Sequence, residues 1–169
     1  MFVKSPPFAP PNCPTVIVFE KRPRWAPELE RQFLAEDVRV VACRSVKDLA
    51  DRAAGVTTGA LLLDAAVAPA DCLHYLRQAL SDPRTLPAFV VGAPAVAPLE
   101  WTFRELGARA FFAKKIPGHE MASLCRRQWT DRRQGKGRGP AQSQKESASK
   151  QASSPRAASR KQNQGSSEQ

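Results

Sequence analysis

Short apolar runs alternate with longer amphipathic segments along residues 15–129. The apolar runs are hydrophobic at successive positions rather than at every second one, which predicts strands buried on both faces of a sheet. The longer segments place apolar side chains at helical spacing, as Leu99, Phe103 and Leu106 do in the fourth. The predicted strands lie at residues 15–20, 38–43, 59–65, 87–93 and 109–114. The predicted helices lie at residues 26–37, 45–55, 69–80, 98–107 and 118–129.

This alternation of single strands and single helices predicts one α/β domain over residues 15–132, with a flavodoxin-like, doubly wound parallel sheet of five strands. Ligands of such sheets bind at the carboxyl ends of the strands. Asp64 ends the third predicted strand after three leucines, Glu20 ends the first and Lys114 the fifth. We therefore expect these three side chains at the same edge of the sheet.

Two segments outside this domain have compositions that do not favour a packed core. Residues 1–14 contain five prolines and are predicted to form an extended leader. From residue 134 onward the chain contains no Val, Ile, Leu, Met, Phe, Trp, Tyr or Cys, so it cannot bury enough apolar surface to offset the entropy of ordering. We therefore predict a disordered basic tail over residues 133–169.

The net charge of +10 is concentrated at the C-terminal end. Residues 126–169 carry 11 Lys and Arg against 3 Asp and Glu, a net +8, whereas residues 1–125 carry a net +2. Such asymmetry is typical of a tail that contacts nucleic acid or an anionic membrane surface, and equally of a tail that only keeps a protein in solution. Trp129, which lies between two arginine pairs, is a candidate for stacking on a base. The candidate anion-contacting residues of this region are Arg126, Arg127, Arg132, Arg133, Lys136 and Arg138.

The cysteines and histidines do not form a metal-ligand pattern. The four cysteines are far apart in the sequence, no C-x-x-C pair occurs, and neither histidine lies near a cysteine pair. Reduced, mostly buried thiols are typical of a cytosolic protein, and no apolar run reaches the length of a membrane span. We therefore expect a cytoplasmic protein without a structural zinc ion.

Five βα units of this size, with an acid after strand one, Asp64 after strand three and Lys114 after strand five, resemble the receiver domains of two-component response regulators. The nearest local matches are LLLDAAVAPAD (residues 61–71) and ELGARAFFAKKI (residues 105–116). The second is similar to the family's Gly-Ala-x-x-aromatic-x-x-Lys passage. The residues that match that passage are Gly107, Ala108, Phe111 and Lys114.

The resemblance implies a phosphotransfer site. Asp64 would be the phospho-acceptor that forms an aspartyl phosphate, and Lys114 would contact the phosphoryl oxygens. Acids after strand one help receivers to hold Mg²⁺, which makes Glu20 and Asp64 the candidate metal ligands. Other features of the family's pattern are missing. The acidic pair aligns with Phe19 and Glu20, and the switch hydroxyl aligns with Gly92.

These departures favour a degenerate receiver, or pseudo-receiver, that acts as a non-catalytic protein-interaction module. Such a module is not an enzyme and needs no cofactor, because Mg²⁺ matters only if phosphotransfer is retained. Asp64 is then expected to be a structural acid, paired with Lys114 across neighbouring strands. Two alternatives stay open: a response regulator phosphorylated on Asp64 with Glu20 as a metal ligand, and a protein that contacts nucleic acid or another anion through its tail.

The resemblance also implies a surface for a signalling partner, because the fourth helix, fifth strand and fifth helix of receivers bind partners. Trp101 lies off the apolar stripe of its helix, so it is expected on the outside, near Arg104. The residue after the family lysine, normally proline, is Lys115. An exposed aromatic among cations suits an interface anchor. The predicted interaction face consists of Trp101, Arg104, Phe111 and Lys115.

Overall fold

The computed structural model describes the backbone of residues 13–135 and the side chains of residues 13–130. Its centre is a sheet of five parallel strands in the order β2-β1-β3-β4-β5, which confirms the predicted flavodoxin-like fold. The strands are β1 (Thr15–Phe19), β2 (Arg39–Cys43), β3 (Gly59–Asp64), β4 (Ala88–Val91) and β5 (Ala108–Phe112). The α-helices are α1 (Trp25–Gln32), α2 (Val46–Ala54), α3 (Pro69–Ala79), α4 (Glu100–Glu105) and α5 (Gly118–Gly135).

The predicted boundaries differ from the observed ones most at the C-terminal ends of α1 and α5, and α1 ends at Gln32 rather than at residue 37. The segment Pro94–Leu99 forms a 3-10 helix, and α4 begins only at Glu100. Pro98 lacks a backbone N–H and restricts the residue before it, so the α-helix starts after this proline. α5 continues to Gly135, which includes the first three residues of the predicted tail. Residues 1–12 and 136–169, which hold most of the predicted leader and tail, lie outside the described residues.

The sheet is covered on both faces. Successive side chains of a strand point to opposite faces, so Ile17 and Leu61 pack with α2, α3 and α4, whereas Val16 and Leu62 pack with α1 and α5. All residues of β1, β3 and β4 are buried. The continuous apolar runs in the sequence are explained by this two-sided burial.

The cysteines of the domain are free thiols, as the spacing predicts. The buried ones are Cys43, Cys72 and Cys125, and burial is the main cause that raises the pKa of each to about 12. Within the described chain no helix is long and apolar enough to cross a membrane.

Because every strand is parallel, the segments that follow the five strands meet at one edge of the sheet, which we call the carboxyl edge. From β1 the chain first adds β2 on one side and then crosses to add β3 on the other, so the topological switch point lies between β1 and β3. Glu20, which follows β1, therefore lies next to the end of β3. The carboxyl edge comprises residues 20–24, 44–45, 65–68, 92–99 and 113–117.

Truncation of a central strand residue is expected to be costly. Leu62 is fully buried in β3, so Leu62→Ala should lower the free energy of unfolding by about 2–5 kcal/mol through lost transfer energy and a cavity. Urea unfolding followed by circular dichroism measures this loss. Leu34→Ala is the matched control, since Leu34 is 87% exposed and should change stability by less than about 0.5 kcal/mol. Equal losses in both variants would contradict the two-sided burial of the sheet.

Candidate functional site at the carboxyl edge

Asp64 is the last residue of β3 and is only 5% exposed. Its Oδ1 accepts a hydrogen bond from the backbone N–H of Ala66 at 3.0 Å, so the carboxylate caps the turn that leaves the strand. Burial raises the pKa of Asp64, while the Ala66 hydrogen bond and the charge of Arg24 lower it, and the charge of Glu20 raises it. The side chain is therefore a buried acid that a backbone amide and a nearby cation compensate in part.

Glu20 follows β1 and is 2% exposed. Its Oε2 accepts hydrogen bonds from the backbone N–H groups of Arg24 at 2.9 Å and Trp25 at 2.7 Å. These N–H groups belong to the start of α1, where Arg24 itself supplies no side-chain cap. Glu20 thus satisfies the open end of α1, and its negative charge lies at the positive end of the helix dipole.

Two cations from the same loop complete the surroundings of the acids. Lys21 Nζ lies 2.7 Å from Asp71 Oδ2 and donates to the carbonyl of Arg44 at 3.0 Å. The guanidinium of Arg24 lies over the ring of Trp25, 5.0 Å from its centroid. Sequence reasoning missed both residues. The signal that was available is the basic run KRPR directly after a buried strand, at the edge where the acids were expected.

Lys114 does not pair with Asp64. It is exposed, and it makes no hydrogen bond or ion pair with any residue of the range 13–130. The expectation of an Asp64–Lys114 pair across neighbouring strands is wrong: no ion pair joins the two side chains, and their strands are not neighbours, since β4 lies between β3 and β5. The compensating cation near Asp64 is Arg24, from the other side of β3.

Gly92, at the position that aligns with the switch hydroxyl, is packed against an aromatic ring. A Cβ atom at Gly92 would lie 2.9 Å from Cζ of Phe111. Phe111 is 6% exposed, and its ring stacks on Phe103 with centroids 5.4 Å apart. Phe111 is therefore a core residue, and its inclusion in the interaction face is wrong. In β5 its side chain points to the face that α4 covers.

The other residues of the predicted interaction face are exposed. Trp101 is 71% exposed and donates from Nε1 to Oε1 of Glu105 at 2.8 Å. Arg104 pairs with Glu100 at 2.8 Å along α4, and Lys115 is exposed after β5. The interaction face is hereafter Trp101, Arg104 and Lys115.

The basic region that begins at Arg126 is partly bound to the domain. Arg126 pairs with Glu36 at 2.9 Å and lies over the ring of Phe33, 5.0 Å from its centroid. Trp129 is 7% exposed and packs against Phe33 with centroids 6.0 Å apart, so the hypothesis that it stacks on a base is wrong. Arg127 is exposed. The side chains of the remaining tail candidates, Arg132, Arg133, Lys136 and Arg138, lie outside the described residues.

No protein-family model matches the chain, and no curated protein matches it. Solved structures do match. The receiver domain of TorR, the response regulator of a TMAO respiratory system, is 20% identical, with 66% of this chain and 92% of that chain covered and a TM-score of 0.56. A response regulator from Thermotoga maritima is 12% identical, with 69% and 98% covered and a TM-score of 0.58. A streptococcal protein from a family of redox sensors evolved from two-component response regulators is 11% identical, with 73% and 54% covered and a TM-score of 0.61.

These likenesses define the class of fold. The parallel five-stranded sheet with helices on both faces is a doubly wound α/β domain. More narrowly, it is the fold of response regulator receiver domains. At these identities the likeness concerns the fold alone.

Replacement of Asp64 by Asn should make stability less dependent on pH. The pKa of Asp64 is higher in the folded protein than the pKa of about 3.9 that it has in the unfolded chain. Ionisation of this group therefore lowers the free energy of unfolding as pH rises from about 3.9 through the folded-state pKa. Asp64→Asn should therefore be more stable than the parent at pH 7, and the difference should disappear near pH 3. Urea midpoints between pH 3 and pH 8 measure the effect.

The exposed Asp51 provides the control for that experiment, since Asp51→Asn removes a carboxylate that lies in solvent rather than in the core. A parent that is more stable than Asp64→Asn at pH 7 would mean that nearby cations more than offset the burial of the charge.

Gly92→Ala is expected to destabilise the domain by about 1–3 kcal/mol, because its methyl group must displace the Phe111 ring from a packed core. Urea unfolding measures the loss. The control is Gly55→Ala at the end of α2, where the nearest atom to a new Cβ is 3.7 Å away and no loss is expected. In a Phe111→Leu background, which removes the ring, the cost of Gly92→Ala should fall. An undiminished cost there would contradict the contact as its cause.

Proposed function

We propose that this chain is a receiver-like protein-interaction module that does not switch by phosphorylation. The observation that carries the proposal is the contact between Gly92 and Phe111. Gly92 has no hydroxyl that could report a phosphoryl group on Asp64. The Phe111 ring already fills the space beside Gly92 and is held there by Phe103. A module of this kind presents one fixed surface to its partner.

The residues at the carboxyl edge do not fit Mg²⁺. Two oxygens of the candidate ligands are already used, since Glu20 Oε2 caps α1 and Asp64 Oδ1 caps the turn after β3. The charge of Arg24 acts on Asp64 and opposes a divalent cation there. Among residues 13–130 no group of three or more His, Cys, Asp or Glu side chains is placed to hold a metal ion. The proposal therefore assigns no cofactor and no catalysis to this edge.

The partner surface in this proposal is the interaction face of Trp101, Arg104 and Lys115. A tryptophan that is 71% exposed is unusual, and tryptophan and arginine dominate the binding energy of protein interfaces. The hydrogen bond from Trp101 to Glu105 restrains the ring on the surface of α4, which reduces the entropy lost when a partner covers it.

One observation favours phosphorylation of Asp64 as the second candidate function. Asp64 Oδ2 makes no hydrogen bond with any residue of the range 13–130, and it lies at the carboxyl edge where receivers react. In that case Oδ2 would attack the phosphorus of a phosphodonor, and the donor's leaving group would depart with the electrons of the broken bond. Lys114 is exposed and unpaired within the described chain, so it remains available for the new phosphoryl oxygens.

A two-dimensional NMR spectrum of the full chain separates the two candidates. Spectra are compared without additions, with Mg²⁺ alone, and with Mg²⁺ and beryllofluoride, which mimics an aspartyl phosphate. The proposal expects the signals of Gly92, Trp101 and Phe111 to stay in place. Shifts that spread from Asp64 to these residues, and that are absent in Asp64→Asn, would establish a working switch and overturn the proposal.

A further inference from the structure

The loops at the two edges of the sheet carry opposite charges, whereas the first turns of the helices that begin at the carboxyl edge carry acids, most of them paired with cations, as Asp71 is with Lys21. The exposed or half-exposed charged residues in the segments of the carboxyl edge are all cations, whereas the acid of these segments, Glu20, is buried. The cations are Lys21, Arg22, Arg24, Arg44, Lys114 and Lys115. The loops at the opposite edge carry Glu36, Asp37 and Asp82 against a single cation, Arg84.

Four of the cations at the carboxyl edge have no partner in the part of the chain that the structure describes. Their side chains make no hydrogen bond, ion pair or ring contact with residues 13–130. They are Arg22, Arg44, Lys114 and Lys115. Elsewhere on the described surface some cations are paired, as Arg52 is with Asp48, whereas the unpaired ones, such as Arg77 and Arg109, lie apart on different elements. Unpaired cations clustered at one edge attract anionic groups over a distance of about a Debye length, ~8–10 Å.

The cations occupy two flanks, and the middle of the carboxyl edge is apolar. Arg22 and Arg44 follow β1 and β2, whereas Lys114 and Lys115 follow β5. The segments after β3 and β4, residues 65–68 and 92–99, contain no charged residue. They expose Val67, Pro94 and Pro98, with Val67 55% exposed. With neighbouring strands about 4.8 Å apart, the two flanks are separated by roughly 14–19 Å.

We propose that the carboxyl edge binds a short anionic segment of a partner protein, in which acidic residues flank an apolar centre. This inference rests on the proposed function and names the chemistry of the partner. About five or six extended residues, at ~3.3 Å each, span the distance between the flanks. The acidic ends of the segment meet the cations, and its centre covers Val67 and the 3-10 helix. Trp101 lies two residues after the end of that helix, beyond Glu100, and extends the exposed apolar surface toward α4.

The same pattern disfavours a nucleic acid as the occupant. A nucleic acid backbone carries a charge on every nucleotide, so the phosphates over the apolar middle would have no cation to meet. A peptide can place its charges only at the two flanks.

The test uses the full chain and a fluorescent octapeptide in which two leucines lie between acidic triplets. Fluorescence anisotropy gives the dissociation constant, and NMR of the labelled chain shows which residues respond. The reference probes are the same peptide with Asn and Gln in place of the acids, and an eight-nucleotide single-stranded DNA. We expect the acidic peptide to shift the signals of residues 20–24, 65–68, 92–99 and 113–115.

A matched pair of charge-reversed variants separates this edge from the basic tail. Arg22→Glu with Lys115→Glu removes one cation from each flank, and we expect at least about fivefold weaker binding. Arg77→Glu with Arg84→Glu changes the net charge equally at exposed positions away from the carboxyl edge, and it should leave the affinity within twofold. Circular dichroism verifies that both variants are folded.

Several results would overturn the inference. One is equal weakening by the two charge-reversed variants, and another is a response confined to residues after 130, which would assign binding to the tail. Failure of the acidic peptide to bind, or an equal response of the same loops to the DNA, would also overturn it. The beryllofluoride spectrum is an independent test of the proposed function. A chain that binds the peptide yet responds to beryllofluoride would refute the proposed function and leave the peptide site in place.

Discussion

Burial of β3 on both faces is the constraint on which the rest of the structure depends. This strand lies between β1 and β4, and helices cover both of its faces, so every side chain from Gly59 to Asp64 is buried. The acid at its end must therefore find compensation within the protein. The Ala66 amide and the charge of Arg24 supply it, and the raised pKa shows that burial still dominates.

The neighbours of Asp64 serve the architecture in ways that compete with receiver chemistry. Glu20 uses a carboxylate oxygen to cap α1, and the ring of Phe111 fills the space beside Gly92. Each role is sufficient to explain the residue at its position. These roles support the proposal of an interaction module that does not switch by phosphorylation. A rigid surface suits binding, because little conformational entropy is lost when a partner docks.

The exposed cations are concentrated at the carboxyl edge, which gives this edge a positive electrostatic potential. The buried carboxylates contribute little field outside the protein, whereas the unpaired cations of the carboxyl edge lie in solvent, where the proposed acidic segment would reach them. Since the net charge of residues 1–125 is only +2, this arrangement is invisible in the overall composition. It arises because the parallel sheet collects the segments after all five strands at one edge.

The sequence by itself determined the class of fold and the positions of its strands, because two-sided burial requires continuous apolar runs and parallel strands require helical crossovers. It also placed Asp64 and Glu20 at one edge of the sheet. Only the tertiary structure decided their partners. The strand order places β4 between the strands that end near Asp64 and Lys114. Packing against other helices and strands buries Phe111 and Trp129 in the core. Such contacts depend on residues far apart in the chain, and local periodicity holds no information about them.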